Sequence, residues 1–279
     1  MPITELTRVN QEEIKPMIGS RILNSKAELL SGNIGSELRE LLQKRGVLVF
    51  PKINFSDEEQ VEFTKTLGTF APEIKSGEEI HKITLNAKIN PQSADYLRGS
   101  LYWHIDGTMN DVPILASLLS CKKTATWGGN TGFCNTYAAY DALSDEQKIK
   151  LDKLRVVHSV WASTLFYEPE PTIEKLEVLQ AIGENELPLV WTHKSGSKSL
   201  VLGCTAHHVI GVSAMESAKI LIGLRDWATR EDFSFSHEWS VGDLVIWDNT
   251  GTMHRAEAYD PACDRMMHRT KLMGEEPFE

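Results

Sequence analysis

In this chain of 279 residues, the first candidates for binding a metal lie in the segment Trp103-His-Ile-Asp106. In an extended segment, residues two apart point to the same face, so His104 and Asp106 could bind one ion together. The best candidate for a third ligand is His254, which follows a strand pattern ending at Trp247-Asp-Asn249. Two histidines and one carboxylate are typical of non-haem Fe(II) oxygenases, but zinc hydrolases use the same three groups. The triad therefore predicts a metal site and leaves the metal open.

Two arginines follow His254 in the segment Arg265-Met-Met-His-Arg269, which has the pattern of a strand. At strand spacing, positions 265 and 269 share a face, so both guanidinium groups can point inward. Buried arginines are unfavourable unless they bind anions, and a guanidinium can hold a carboxylate through two parallel hydrogen bonds. The pair predicts two anionic groups near the metal. The alternative is two surface charges on a solvated strand.

Hydrophobic periodicity indicates the elements that must position these residues. The first third predicts a helix, a short strand and a second helix, over residues 36–45, 47–50 and 57–67. The second half predicts one long helix behind Ser213 among many strands, which include 189–192, 199–202, 233–239, 244–247 and 266–272. This order lacks the βαβ rhythm of a parallel sheet and favours an antiparallel barrel or jelly roll with helices on its outside. Because no linker is evident, we predict one domain over residues 1–279.

Composition excludes several classes of protein. The formal net charge is −10 and the isoelectric point is about 5.4, which argues against general binding of nucleic acid or anionic membranes. No run of about 18 apolar residues exists, so we expect no membrane-spanning helix. The N-terminus lacks the layout of a signal peptide, which predicts a cytoplasmic protein. The four cysteines match no zinc template and are expected to be free thiols.

From about residue 36 to its end, the sequence resembles the taurine dioxygenase (TauD/TfdA) family of Fe(II)/2-oxoglutarate-dependent dioxygenases. Order and spacing agree as well as identity. The segments that carry the resemblance are Gly46–Phe50, Phe63–Gly68, Trp103–Asp106, Gly128–Phe133, Thr136–Leu143, Thr192–Lys198, Trp239–Asp243, Trp247–Asn249, His254–Ala256 and Arg265–Arg269.

The resemblance implies a double-stranded β-helix, a cupin-like jelly roll, that binds Fe(II), 2-oxoglutarate and O₂. By position, His104, Asp106 and His254 match the iron ligands. Thr131 and Arg265 match the residues that bind the far carboxylate of 2-oxoglutarate. Arg269 matches the residue that holds the acidic end of the primary substrate, and Trp247 would lie near the iron.

Substrate-side residues are predicted less directly. The polar stretch of residues 86–100 precedes the metal motif and is a candidate active-site lid. It contains Tyr96 and Arg98, and Lys75 falls near a substrate-side position of the family. The alternative for each is a solvated loop residue.

The expected function is hydroxylation of a small organic acid, a carboxylate or a sulfonate, with CO₂ and succinate as coproducts. One alternative is the same chemistry on a larger apolar metabolite, with Trp161, Phe166 and Tyr167 as a pocket wall. A non-catalytic metal- or 2-oxoglutarate-binding sensor and a zinc hydrolase are further alternatives. The resemblance also implies a possible homo-oligomer.

Overall fold

The computed structural model describes residues 8–72, 77–90 and 96–279, with the backbone alone for Tyr96. Its strands within these ranges are β1 Gln11–Lys15, β2 Ile18–Ile22, β3 Val47–Phe50, β4 His81–Ile83, β5 Ala116–Lys123, β6 Thr131–Asn135, β7 Arg155–Ser159, β8 Glu184–Pro188, β9 Val190–Thr192, β10 Lys198–Leu200, β11 Ala206–Val209, β12 Ser234–His237, β13 Leu244–Asp248, β14 Thr252–Ala256 and β15 Met266–Leu272. Its helices are α1 Lys26–Leu30, α2 Gly35–Arg45, α3 Asp57–Leu67, α4 Thr136–Asp141, α5 Asp145–Leu151, α6 Val160–Thr164, α7 Ile173–Gln180 and α8 Ala214–Ala228. A 3₁₀ helix spans Tyr96–Leu101.

Local signals explain where the predicted helices begin and end. Helix α3 has a capping box, in which the Ser56 hydroxyl accepts from the Glu59 amide and the Glu59 carboxylate accepts from the Ser56 amide. Helix α2 ends at Gly46, whose φ of 71° is favourable for glycine. Both helices lie within a residue of the predicted ranges, and strand β3 matches its prediction.

The strands form a seven-stranded sheet in the order β1-β2-β3-β13-β5-β15-β4 and a three-stranded sheet in the order β12-β6-β14. Strand β2 pairs parallel with β3, and the other neighbours in these two sheets are antiparallel. A second three-stranded sheet, β11-β7-β8, and the β9-β10 hairpin complete the described strands. The result is a β-rich jelly roll with flanking helices, which confirms the predicted fold class.

Strand β13 is buried on both faces because the large sheet is covered on both sides. Leu244 and Ile246 pack with residues of α2 and α3. Val245 and Trp247 point the other way and pack with Phe133 of β6 in the space between the two sheets. The end of this inner layer is where the metal-binding candidates meet.

A third apolar cluster covers the outer face of the small sheet. Cys134 and Met253 contribute from β6 and β14, and Leu224 and Ala228 contribute from α8. This layer fixes β14, which carries His254. Within the described ranges, no helix is long and apolar enough to cross a bilayer.

Candidate metal centre

His104 and His254 are held opposite each other by their own backbones. The amide of each donates to the carbonyl of the other, at 3.0 and 2.9 Å, in an isolated antiparallel bridge. This pairing sets the two imidazole centroids 4.1 Å apart. Asp106 lies two residues beyond His104, so its carboxylate points to the same side.

The donor atoms of these three residues converge without bonding to one another. His104 Nε2 lies 3.7 Å from Asp106 Oδ1, and His254 Nε2 lies 3.8 Å from Asp106 Oδ2. One candidate ligand atom of each residue lies within 4.8 Å of the other two. Metal–nitrogen bonds of about 2 Å place neighbouring donors roughly 3 Å apart, so a modest contraction would seat an ion. The residues therefore fit a divalent cation.

The tautomer of His104 also suits metal binding. Its Nδ1 lies 2.8 Å from the carbonyl oxygen of Tyr102, which can only accept, so Nδ1 carries the proton. When the imidazole is neutral, the lone pair is therefore on Nε2, which lies 3.7 Å from Asp106 Oδ1. Fixing the imidazole through its other nitrogen is how proteins orient a histidine ligand.

The protonation states of His254 and Asp106 suit a metal ion. Burial lowers the pKa of His254 well below its usual value, and the nearby His104 and Arg269 act in the same direction. Burial alone would raise the pKa of Asp106, but His254, Arg269, His104 and a hydrogen bond from Ser117 hold it well below its usual range. A neutral imidazole beside an ionised carboxylate is the protonation state that a metal ion requires.

Arg265 immediately precedes β15 and is buried, with 3% of its surface exposed. Its Nη2 donates to the Gly129 carbonyl at 3.0 Å, and its guanidinium lies 4.8 Å from the centroid of the Tyr259 ring. A Cβ on Gly129 would lie 3.1 Å from Arg265 Nε, and the φ of this glycine is +74°. Glycine is therefore needed where the arginine crosses the loop before β6.

Thr131 opens β6, two residues after Gly129, and is also buried. Its hydroxyl accepts a hydrogen bond of 2.9 Å from the indole N–H of Trp239. An indole can only donate, so the Thr131 hydroxyl proton remains available for an acceptor. Thr131 and Arg265 thus border the same loop and can both donate to one anion.

Arg269 lies further along β15, where its Nη1 is 3.6 Å from Asp106 Oδ2. Its side chain is 20% exposed. His268, next to it, faces the opposite side and contacts Asp57 of α3. Arg269 therefore points inward toward the cluster, as the strand spacing predicts.

Trp247 packs directly on His254, with ring centroids 4.6 Å apart. The predicted proximity of Trp247 to the metal residues is thus present in the structure. Its indole N–H donates to Asn249 Oδ1 at 2.9 Å, and Asn249 Nδ2 donates to Ser117, which contacts Asp106.

The substrate-side predictions are only partly within the described residues. Lys75 lies outside them, as do residues 91–95 of the candidate lid, and the Tyr96 side chain is not described. Arg98 lies in the 3₁₀ helix, where its guanidinium is 4.8 Å from the Tyr167 ring and donates to the Tyr167 carbonyl. That contact ties this part of the candidate lid to the segment after α6.

Of the three aromatic residues proposed as a pocket wall, only Phe166 lines the groove found in this region. Phe166 packs on Tyr102 at 5.2 Å and lines a groove of about 590 Å³ that also touches Trp103 and Arg255. The guanidinium of Arg255 lies 4.8 Å from the Trp103 ring. Trp103 and Arg255 adjoin His104 and His254 in sequence, so their side chains face away from the metal residues.

Ser117 is the site residue that sequence reasoning missed. It sits on β5 opposite Trp247 of β13, and only this cross-strand register brings it to Asp106. The link between Trp239 and Thr131 was missed for the same reason. Asn249 and Trp239 do carry a sequence signal, because they belong to the Trp247–Asn249 and Trp239–Asp243 segments of the family resemblance.

Comparison with known proteins agrees with this geometry. The family model described as "Taurine catabolism dioxygenase TauD, TfdA family" matches residues 10–271. The alpha-ketoglutarate-dependent 2,4-dichlorophenoxyacetate dioxygenase of Cupriavidus pinatubonensis is 30% identical over 262 residues, covering 88% of this chain and 91% of the relative. The (S)-phenoxypropionate/alpha-ketoglutarate-dioxygenase of Sphingobium herbicidovorans is 29% identical, covering 84% of each chain.

The solved structure of AAD-2 in complex with Mn(II) and N-oxalylglycine superposes with a TM-score of 0.82. It is 29% identical to this chain and covers 97% of it and 99% of its own length. The match thus extends over the jelly roll and its flanking helices. This chain belongs to the TauD/TfdA family of 2-oxoglutarate-dependent dioxygenases.

Proposed function

We propose that this Fe(II)- and 2-oxoglutarate-dependent dioxygenase hydroxylates a C–H bond of a small organic acid whose anionic group binds Arg269. In this proposal His104, Asp106 and His254 hold the iron, and Thr131 and Arg265 hold the far carboxylate of 2-oxoglutarate. The position of Arg269, 3.6 Å from the Asp106 carboxylate, carries the choice of substrate.

The bound metal and cosubstrate supply oxidative decarboxylation of 2-oxoglutarate to succinate and CO₂, coupled to hydroxylation of the substrate. The protein supplies geometry and exclusion of water. His104 and His254 would each contribute one imidazole nitrogen, and Asp106 would contribute the one negative charge. With these three residues as its ligands, the metal would keep open positions for the cosubstrate and O₂.

Arg265 and Thr131 orient the cosubstrate from its distal end. Arg265 is buried against Tyr259 and Gly129, so its guanidinium is already oriented before any anion arrives. Trp239 directs the Thr131 hydroxyl proton away from itself. A dicarboxylate held at this end would present its keto acid toward the His-Asp-His residues.

Arg269 has a cationic neighbour once a metal binds. The guanidinium and the divalent ion would both attract the Asp106 carboxylate. The ion would compensate most of the negative charge of that carboxylate. A second anion beside Arg269 then offsets the excess positive charge. A carboxylate or sulfonate suits this position because a guanidinium can grip two of its oxygens.

The names of the relatives indicate which classes of substrate to test first. Both 2,4-dichlorophenoxyacetate and (S)-phenoxypropionate are short carboxylic acids that carry an aryl ether. We propose aryloxyalkanoic acids as the first panel, with alkanesulfonates as the second. Each contains one anionic group at a short distance from an oxidisable C–H bond.

The metal and cosubstrate roles are tested by anaerobic titration with Fe(II) and 2-oxoglutarate, followed through the visible charge-transfer band of the chelate. We expect the band in the native protein and its loss in His104→Ala. In Arg265→Ala the band should require far more 2-oxoglutarate. Iron binding without any band would contradict the proposed cosubstrate site.

The substrate role is tested with Arg269→Ala by measuring succinate formation at a range of acid concentrations. Loss of a charge-assisted contact of about 1.5–3 kcal/mol should raise KM for the acid roughly tenfold or more. Arg255→Ala is the matched control, because Arg255 faces the outer groove. An unchanged KM in Arg269→Ala, or an equal rise in Arg255→Ala, would reject the assignment.

A further inference from the structure

We propose that Ser117, Asn249 and Trp247 form a directional hydrogen-bond relay that positions the Asp106 carboxylate as a metal ligand. The inference rests on the proposed function in one respect, the role of Asp106 in metal binding. The relay residues touch no substrate, so they are positioning residues.

The relay is continuous and closed to solvent. Trp247 Nε1 donates to Asn249 Oδ1 at 2.9 Å, Asn249 Nδ2 donates to Ser117 Oγ at 3.1 Å, and Ser117 Oγ donates to Asp106 Oδ2 at 3.1 Å. Ser117 and Asn249 are fully buried, and Trp247 is 2% exposed. Water cannot easily replace a missing partner in such a chain, so each link depends on the one before it.

Its direction follows from the chemistry of the groups. An indole nitrogen only donates, so it fixes the oxygen of the Asn249 amide toward Trp247. The amide NH₂ must then face Ser117, whose hydroxyl accepts this bond and has one proton left. That proton goes to Asp106. A single donor at one end thereby orients every group along the relay.

The relay also connects two of the proposed ligands. Trp247 begins it and contacts the His254 ring at an interplanar angle of 47°, while Ser117 ends it on Asp106. Strand pairing sets Trp247 opposite Ser117, and the backbone N–H of Asn249 donates to the Leu115 carbonyl at 2.9 Å. The strands β5 and β13 therefore fix the spacing between these two ligand side chains.

The expected consequence is a carboxylate that binds the metal through one oxygen. Ser117 donates to Oδ2, which also lies 3.6 Å from Arg269 Nη1 and 3.8 Å from His254 Nε2, whereas Oδ1 lies 3.7 Å from His104 Nε2. A carboxylate that rotated to bind through both oxygens would take a position needed by the cosubstrate or O₂. Holding Oδ2 in a hydrogen bond opposes that rotation.

The test is calorimetric titration of the full chain with Mn(II) alone, which requires no turnover. Outer partners of metal ligands typically change metal affinity about 10–100-fold, so Ser117→Ala should raise Kd for Mn(II) at least tenfold. Trp247→Phe keeps an aromatic ring against His254 but removes the donor, and we expect a smaller rise of about threefold. Ser117→Thr restores a hydroxyl and should recover much of the affinity.

Ser120→Ala is the matched control. Ser120 lies on the same strand, is equally buried, and donates to Gln60 Oε1 at 2.7 Å on the opposite face. It should lose similar stability yet bind Mn(II) within about twofold of the native protein. A native Kd in folded Ser117→Ala, or equal weakening in Ser120→Ala, would overturn the relay.

His104→Ala separates this failure from failure of the proposed function. If the native chain binds Mn(II) and His104→Ala does not, the metal site stands whatever Ser117→Ala shows. If His104→Ala binds Mn(II) as the native chain does, the assignment of the metal site is wrong, and the relay proposal is rejected together with it. A second readout is the charge-transfer band of the Fe(II)–2-oxoglutarate chelate, whose position should shift in Ser117→Ala and stay fixed in Ser120→Ala.

Discussion

A glycine gives the His104 backbone the space that it needs to pair with His254. Gly203 has a φ of +122°, and a Cβ built on it would lie 2.9 Å from His104 Cα and 3.1 Å from the Trp103 carbonyl oxygen. The Cys204 amide donates to that same carbonyl at 2.7 Å. The segment before β11 therefore supports the segment that carries His104 and Asp106.

Gly203→Ala should damage both stability and metal binding. The positive φ and the contact with backbone atoms together predict a loss of about 2–4 kcal/mol in the free energy of unfolding. Displacement of His104 should also weaken Mn(II) binding. Denaturant unfolding and calorimetry measure the two effects.

Gly223→Ala is the contrasting control in helix α8. A Cβ there meets nothing within 4 Å. Because alanine favours the helix by about 0.5–1 kcal/mol over glycine, this variant should be more stable than the native chain. If Gly203→Ala matched it in stability and Mn(II) affinity, the support assigned to Gly203 would be wrong.

The sequence predicts the local parts of this molecule better than the relationships between distant strands. Helix α3 is predicted to the residue because its capping box lies within four positions of its start. Strand β2 escaped prediction because its residues are mostly buried, without alternation, and its place depends on parallel pairing with β3.

The candidate site divides in the same way. The motif around His104 and the family resemblance indicate the metal residues, although 148 positions separate Asp106 from His254. Ser117 has no signal of its own, since its role arises from its register with Trp247. Sequence patterns identify residues with suitable chemistry, whereas the supporting hydrogen bonds require the strand pairing.

Trp239→Phe should weaken cosubstrate binding without affecting the metal. Without the indole N–H, the Thr131 hydroxyl is no longer oriented by a buried donor. A neutral hydrogen bond contributes about 1 kcal/mol, so KM for 2-oxoglutarate should rise roughly fivefold while Mn(II) affinity stays unchanged. Steady-state kinetics at varied 2-oxoglutarate provide the measurement.

Trp227→Phe is a suitable comparison for Trp239→Phe. The indole N–H of native Trp227 also donates inside the protein, to the Ala139 carbonyl at 2.8 Å, but in the apolar cluster beneath α8. It should leave KM for 2-oxoglutarate unchanged. A similar rise in both variants would mean that general loosening, rather than Thr131, explains the result.

Arg265→Lys should lose cosubstrate affinity although it keeps the charge. Lysine lacks the planar fork that can bind a carboxylate and the Gly129 carbonyl together. We expect KM for 2-oxoglutarate to rise about tenfold, with kcat at saturation changing much less.

Arg255→Lys is the control, because Arg255 lines the groove beside Phe166 and Trp103. It should change neither KM nor kcat. An unaltered KM in Arg265→Lys would show that the positive charge alone is enough to bind the cosubstrate.

Asp248 should make the protein less stable as the pH rises. Burial raises the pKa of this carboxyl to about 6 from 3.8, despite hydrogen bonds from the Thr250 amide and hydroxyl. The folded state therefore retains its proton at pH values where the unfolded chain has lost it. The free energy of unfolding falls between about pH 4 and pH 6, and the ionised group remains unfavourable above that range, by roughly 3 kcal/mol.

Asp248→Asn removes this penalty because an amide oxygen can still accept both bonds from Thr250. Denaturant unfolding at two pH values should show the variant more stable than the native chain at pH 7.5, with the difference reduced to about one third near pH 4.5.

Asp243→Asn should behave oppositely. Burial opposes ionisation of Asp243, but hydrogen bonds from His237, Ser240 and Lys52 lower its pKa. The charge of Asp243 therefore stabilises the fold at neutral pH and loses that effect as the pH falls. Equal responses of the two variants at pH 7.5 would show that burial does not dominate at Asp248.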